Sequence, residues 1–151
     1  MRILIQRVSQ ARVIVSDNTV GAIGAGLLVF LGVARSDTAA GADYLVDKLL
    51  GLRIFPDEAG KMNLNVSQAG GALLIVSQFT LYADCRKGRR PGFDHAAPPE
   101  TALSLYNYFV ELAGKGPVPV QTGVFQASMQ VHLVNDGPVT IQIDSPAGDF
   151  R

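Results

Sequence analysis

Asn135-Asp136-Gly137-Pro138-Val139-Thr140 decides how the C-terminal part of the chain folds. The segments around it, Met129-Gln-Val-His-Leu-Val134 and Val139-Thr-Ile-Gln-Ile143, are rich in β-branched residues and read as strands. Proline brings no N–H to a ladder, so within sheets it is confined to edges, strand starts and bulges. Two readings follow. Asn-Asp-Gly-Pro is good turn chemistry, and the two strands can form a hairpin around it. A Gly-Pro bond can also be cis at a cost of about 0.5–1 kcal/mol, and such a step can aim two carbonyls in one direction as a rigid ridge of acceptors. The segment by itself leans to the hairpin, and the rest of the chain must decide.

Working outward, 151 residues predict one domain, 1–151, burying about 70% of its unfolded surface. With 48% hydrophobic and 17% charged residues and a mean hydropathy of +0.22, there is apolar surface for a large core and a subunit interface. Thirteen basic and thirteen acidic side chains cancel, so any nucleic-acid contact must come from a local patch. A single cysteine, Cys85, leaves no internal disulfide and suits a reducing compartment. Charges interrupt the apolar run Met1–Arg7, which excludes a signal-peptide core there, and Gly26–Val33 is a strand too short to span a membrane. A soluble cytoplasmic protein is expected.

Short β-rich segments dominate: Arg2–Ser9, Ala11–Ser16, Val20–Ile23, Leu27–Ala34, Arg53–Phe55, Ala72–Gln78 and Val118–Thr122, besides the two already named. Tyr44, Leu45, Lys48, Leu49 and Leu52 recur at helical spacing behind Ser36 or Asp37 as cap. Pro98-Pro99-Glu100 opens a second helix, Glu100–Ala113, with its apolar stripe at Leu103, Tyr106, Phe109, Val110 and Ala113. Thr80–Phe93 reads as a long polar loop and Ser145–Arg151 as a flexible tail. The fold class expected is α+β: mostly antiparallel sheets in a curled, barrel-like sandwich covered by two main helices.

Ordinary catalytic machinery is hard to find. His95 and His132 are the only histidines and lie at no ligand spacing from each other or from Cys85, so no metal or cofactor site is expected. His132 alternates with apolar neighbours and should point to solvent. There is no Gly-x-Ser-x-Gly elbow, Walker loop or dinucleotide fingerprint. An enzyme of this composition would rely on backbone groups, because amide pairs can stabilise an oxyanion without a titrating side chain. The end of a buried strand breaking into a polar loop is the place for them, and Val76-Ser77-Gln78-Phe79-Thr80-Leu81 is such a place. Its hydroxyls can equally serve local backbone groups at a strand end.

Ser77-Gln78-Phe79-Thr80 together with Asn135–Thr140 resembles the paired signature of the D-aminoacyl-tRNA deacylases, of the D-tyrosyl-tRNA(Tyr) deacylase, Gly-cisPro type. Gln6-Arg7-Val8, Gly60–Asn65, Arg90-Pro91-Gly92-Phe93 and Thr122–Met129 fit the same family, so the resemblance covers nearly the whole chain. It implies a cytoplasmic homodimer, with active sites at the subunit interface, that hydrolyses the ester between a D-amino acid and the 3′-terminal adenosine of tRNA. It implies no cofactor, metal, DNA or membrane partner. Gly137-Pro138 would reach into the partner's site and leave no room for an L side chain. Ser77, Gln78, Phe79 and Thr80 would line the pocket, with Phe125 and Met129 as its walls. Phe79 and Thr80 would be catalytic through their backbone amides, and Arg7 would brace the Gly-Pro carbonyls from behind. Such a ridge ignores side-chain identity, so glycine on a mischarged tRNA(Ala) would also pass.

The attacking species is left open between a water organised by the adenosine 2′-OH and Thr80 as nucleophile. Arg86-Lys87-Gly88-Arg89-Arg90 is the one dense basic run, read either as a solvated loop or, through Arg86, Lys87, Arg89 and Arg90, as a contact for acceptor-stem phosphates. A non-catalytic RNA-binding module stacking a base on Phe79, and a small-molecule esterase that ignores tRNA, are the competing classes.

Overall fold

The computed structural model describes residues 1–146. In chain order its elements are β1 (Arg2–Val15), β2 (Asn18–Ile23), β3 (Gly26–Gly32), α1 (Ala39–Gly51), β4 (Phe55–Pro56), β5 (Met62–Leu64), β6 (Ala72–Ser77), α2 (Pro99–Gly114), β7 (Val120–Thr122) and β8 (Gln130–Asp144). Six strands form one sheet in the order β2-β1-β3-β6-β7, with β8 on the other side of β1, while β4 and β5 make a separate hairpin. This is the expected α+β architecture, with one addition. β1 pairs antiparallel with β2, β3 and β8, but the β3–β6 and β6–β7 ladders are parallel. Parallel neighbours need a crossover connection, which α1 and α2 supply.

The crossovers explain why β3 and β6 are apolar at consecutive positions. Leu27, Val29, Leu31, Leu73 and Ile75 pack toward the helices, against Leu45, Leu49 and Phe109. Their alternates Leu28, Leu74 and Val76 face the inside of the curl, against Val8, Ala11 and Val13. Strands buried on both faces must be continuously hydrophobic. The curl closes where β2 meets β7: a Cβ on Gly21 would sit 2.3 Å from the Thr122 carbonyl oxygen, so glycine is what admits the approach.

β1 and β8 each run unbroken where two strands apiece were expected. The flanks of Gly137-Pro138 do not pair with each other, as a hairpin requires; both pair with β1. Gln6 faces Thr140 and Val8 faces Asn135, which leaves Asp136–Val139 as a bulge opposite Arg7. A second irregularity follows at Ser9, between the Val8–Asn135 and Gln10–Val134 pairs. Across these two features the strands change sides. Ile3, Ile5, Ile141 and Ile143 serve the helix-covered core, whereas Ala11, Val13, Val131 and Leu133 serve the interior of the curl.

Helix α1 begins after Thr38, with no side-chain cap. Asp37, an expected cap, instead accepts the Ala34 amide at 2.5 Å and the Met1 α-amino group. Helix α2 begins at Pro99, as its proline cluster predicted. Ser145, the first residue of the expected flexible tail, is pinned: its amide donates to the Met1 carbonyl at 2.8 Å and its Oγ accepts the Met1 α-amino group at 2.5 Å. Residues 147–151 of that tail lie outside the described residues. Among the described residues no helix is long and apolar enough to cross a membrane.

Candidate active site

Strand β6 is rigid to its end because both of its faces are buried, and the Gln78 amide extends its ladder by donating to Leu31 O at 2.8 Å. The chain then breaks at Gln78 (φ −146, ψ 79) into a single 3-10 turn, Phe79–Tyr82. Leu81 N–H donates to Gln78 O at 3.2 Å and Ala83 N–H to Thr80 O at 3.0 Å. The amides of Phe79 and Thr80 open this turn, where such helices leave N–H groups without an internal acceptor. Phe79 is 54% exposed and meets Phe93 edge-to-face with ring centroids 4.9 Å apart.

A cavity of about 960 Å³ opens here, and Ser77, Gln78, Phe79, Phe125 and Met129 all line it. The structure therefore brings together five side chains that the sequence placed in one pocket. Thr80, expected on the same wall, does not line the cavity, because its side chain turns back to Gln78, whose Nε2 donates to Thr80 Oγ1. Tyr106 backs the Phe125 ring at 5.7 Å and donates its hydroxyl to Ile75 O at 3.0 Å. Burial pushes its phenol up to about 12, so it remains a donor. Gly123 makes room for Met129, since a Cβ there would lie 2.7 Å from the Met129 Sδ.

Gly137-Pro138 is exposed, its peptide bond is cis, and it does not line this cavity within the chain. Gly137 has φ +138, a conformation that L side chains rarely adopt. Asn135 clamps the segment: its Oδ1 accepts the Val139 amide and its Nδ2 donates to Thr140 Oγ1. Arg7 lies behind, only 9% exposed, donating from Nε to Asp136 O at 2.9 Å and from a terminal nitrogen to Ile54 O at 2.6 Å. The carbonyl it braces is the one before Gly137, not those of Gly137 and Pro138, because Arg7 sits directly opposite the start of the bulge.

The basic run lies on a loop closed at its base by reciprocal backbone bonds between Asp84 and Gly92, of 2.8 and 2.9 Å. Arg86 is folded onto Asp84, at 2.8 Å from Nε and 2.6 Å from a terminal nitrogen. These bonds hold the Asp84 carboxyl well below the usual carboxylate range. Lys87, Arg89 and Arg90 are exposed beyond it, and none of the four lines the cavity. Neither histidine lines it, and His132 is exposed as expected. Among the described residues no cluster of three or more His, Cys, Asp or Glu could hold a metal.

Sequence reasoning missed most of the remaining lining, Phe93, Gln126 and Arg35 among it. Phe93 stood in a segment already noted for its resemblance. Gln126 likewise stood in such a segment, where the folded chain gives it a φ of +61, whereas Arg35 merely follows the end of a strand.

Comparison with known proteins places the chain among carboxylic-ester hydrolases. It is 66% identical over 145 residues to the D-aminoacyl-tRNA deacylase of Solibacter usitatus, covering 96% of both chains, and 59% identical over 145 residues to that of Thermotoga petrophila, covering 96% of this chain and 97% of the relative. Residues 4–144 match the family described as D-Tyr-tRNA(Tyr) deacylase, and the chain belongs to that family. Among solved structures it is similar to the c-Myc DNA Unwinding Element Binding Protein, with TM-score 0.92, 43% identity and coverage of 97% of this chain and 100% of the other. A probable eukaryotic D-amino acid tRNA deacylase shares the fold at TM-score 0.82 and 19% identity, covering 95% of this chain and 98% of the other.

Proposed function

We propose that the protein is a cytoplasmic homodimer that hydrolyses the ester joining a D-amino acid to the 3′-terminal adenosine of tRNA. The observation that carries this reading is the cavity at the end of β6, where Ser77, Gln78, Phe79, Phe125 and Met129 converge beside the Phe79 and Thr80 amides. The adenosine lies among the aromatic side chains, and the scissile carbonyl oxygen meets the two amides. Water, held by the adenosine 2′-OH, attacks the carbonyl carbon. Negative charge develops on the carbonyl oxygen, where the amides oppose it. The bond to the 3′ oxygen then breaks, and that oxygen leaves with the proton given up by the attacking water, freeing tRNA and the D-amino acid. The Thr80 side chain does not line the cavity, which favours water over a covalent threonine intermediate.

Selectivity comes from Gly137-Pro138 of one subunit entering the cavity of the other. Its exposure, the Asn135 clamp and the Arg7 brace support a protruding, stiffly held segment. A backbone ridge near Cα collides with an L side chain whatever that side chain is, so it accepts D residues broadly and admits glycine, including glycine on tRNA(Ala). Lys87, Arg89 and Arg90 meet acceptor-stem phosphates, with Arg86 partly neutralised by Asp84.

The test is ester release from matched D-tyrosyl- and L-tyrosyl-tRNA. Hydrolysis of the D form alone is expected, and equal hydrolysis of both would reduce the protein to a general esterase. A second reading, a nucleic-acid-binding module without turnover, draws on the relative named for binding a DNA element and on the exposed ring of Phe79. It predicts retention of tRNA with neither ester cleaved.

A further inference from the structure

Among the described residues that line the cavity at the end of β6, Arg35 is the one charged side chain. It follows β3 in a turn that is tied to the loop before α2 at several points. Ala34 bridges Ala96, the Arg35 amide donates to His95 O at 3.2 Å, and the Ala97 amide donates to Val33 O at 2.9 Å. The side chain repeats the tether, since Arg35 Nε donates to Asp94 O at 2.6 Å. A guanidinium fixed through Nε keeps its two terminal amino groups as a planar fork. Among the described residues, Arg2, Arg7 and Arg86 each have a carboxylate within ion-pair distance, and Arg35 has none. An exposed cation, held by the Asp94 carbonyl and without an acid among the described residues, stands beside lining that is otherwise uncharged among those residues.

That combination fits an anion carried by whatever fills the cavity. We infer that Arg35 holds the phosphodiester immediately 5′ of the terminal adenosine, through a bidentate contact that sets how deep the ester sits. This rests on the functional reading given above. Apolar walls and the Phe79 and Phe93 rings can hold a nucleoside, but they grip a flat base without fixing its depth. A forked contact to the phosphate adds that register. Arg35 is thereby a substrate-binding residue distinct from the exposed loop at 86–90, which would meet phosphates farther along the strand.

The experiment uses three D-tyrosyl esters: the full tRNA, 3′-O-tyrosyl-adenosine, and the same adenosine ester carrying a 5′-phosphate. Wild type, Arg35→Gln and Arg35→Lys are compared on each. Arg35→Gln should raise KM about tenfold for the tRNA and for the 5′-phosphorylated ester, and leave KM for the unphosphorylated ester unchanged. Arg35→Lys, which keeps the charge without the fork, should fall between. An equal loss on all three esters would make Arg35 a purely structural tether of the Asp94–His95 backbone and overturn the inference. So would an unchanged KM for both phosphorylated substrates. If wild type cleaves none of the esters, the functional reading itself fails and takes this assignment with it.

Discussion

Asn135 holds Val139 across the Gly137-Pro138 step: its Oδ1 accepts the Val139 amide at 3.1 Å while its Nδ2 donates to Thr140 Oγ1 at 2.9 Å. The two bonds join the ends of the bulge, and Arg7 fixes the carbonyl of Asp136 between them. Asn135→Ala removes the clamp and leaves the half-buried Val139 amide without its acceptor, costing about 1–2 kcal/mol of stability. Discrimination between D- and L-tyrosyl-tRNA should fall about tenfold, because a looser ridge excludes L side chains less strictly. Urea unfolding and the ratio of the two hydrolysis rates check this. A destabilised variant with an intact ratio would dissociate the clamp from selectivity.

Thr80 separates backbone from side-chain catalysis. Its side chain turns to Gln78 and is not on the cavity wall, so Thr80→Ala should retain turnover within about a factor of five, keeping the amide in place. Single-turnover rates with D-tyrosyl-tRNA, together with a search for an acyl-enzyme by denaturing mass spectrometry, decide the matter. Abolished turnover with normal tRNA binding would restore the threonine as nucleophile.

The basic loop should act through phosphate charge. Lys87→Gln combined with Arg89→Gln should weaken tRNA binding and lower the slope of log affinity against log salt by about 1.5. Arg86→Gln should do less, because its charge is already shared with Asp84. An unchanged slope in the double variant would return the loop to solvent, and single-stranded DNA of equal length serves as the comparison ligand.

Acid should loosen the junction of β1 and β8. The hydrogen bond from Arg2 holds the Asp144 carboxyl below its ordinary range. A carboxylate depressed in the folded state contributes stability above its unfolded pKa of about 3.9, and that contribution is lost as pH falls through the lower folded value. The pair is largely solvent-screened, so the effect is about 0.5 kcal/mol. Asp144→Asn should flatten the fall in stability below about pH 4 and lower stability slightly at neutral pH. Equal acid slopes for the variant and wild type, measured by urea unfolding, would refute it.

Much of this fold can be read locally. The proline cluster located α2, the i, i+4 spacing located α1, and β-branched runs located most strands. The ladders were less visible. Consecutive apolar positions in β3 and β6 announce burial on two faces, yet their parallel pairing depends on how the intervening helices cross over. Nor could the segment around Pro138 reveal that its flanks pair with β1, because turn chemistry and bulge chemistry use the same residues. At the site, Ser77–Phe79 was legible as a strand end and Phe125 and Met129 through resemblance. Arg35 was not, because its isolation from any acid exists only in three dimensions, as does the partnership of Arg7 with Ile54.

The bulge carries a consequence for how such a chain can vary. Ile5 faces Ile141 and Val13 faces Val131, so eight steps along one strand are matched by ten along the other. Side chains alternate sides at every step, so the surplus residues decide which set is buried on each half. Inserting or deleting one residue between Asn135 and Thr140 would turn either Ile141 and Ile143 or Val131 and Leu133 toward water. Substitutions there leave the register of both halves intact, whereas changes of length are constrained to pairs. A swapped letter is thus felt at the ridge alone, and an added one along half of each strand.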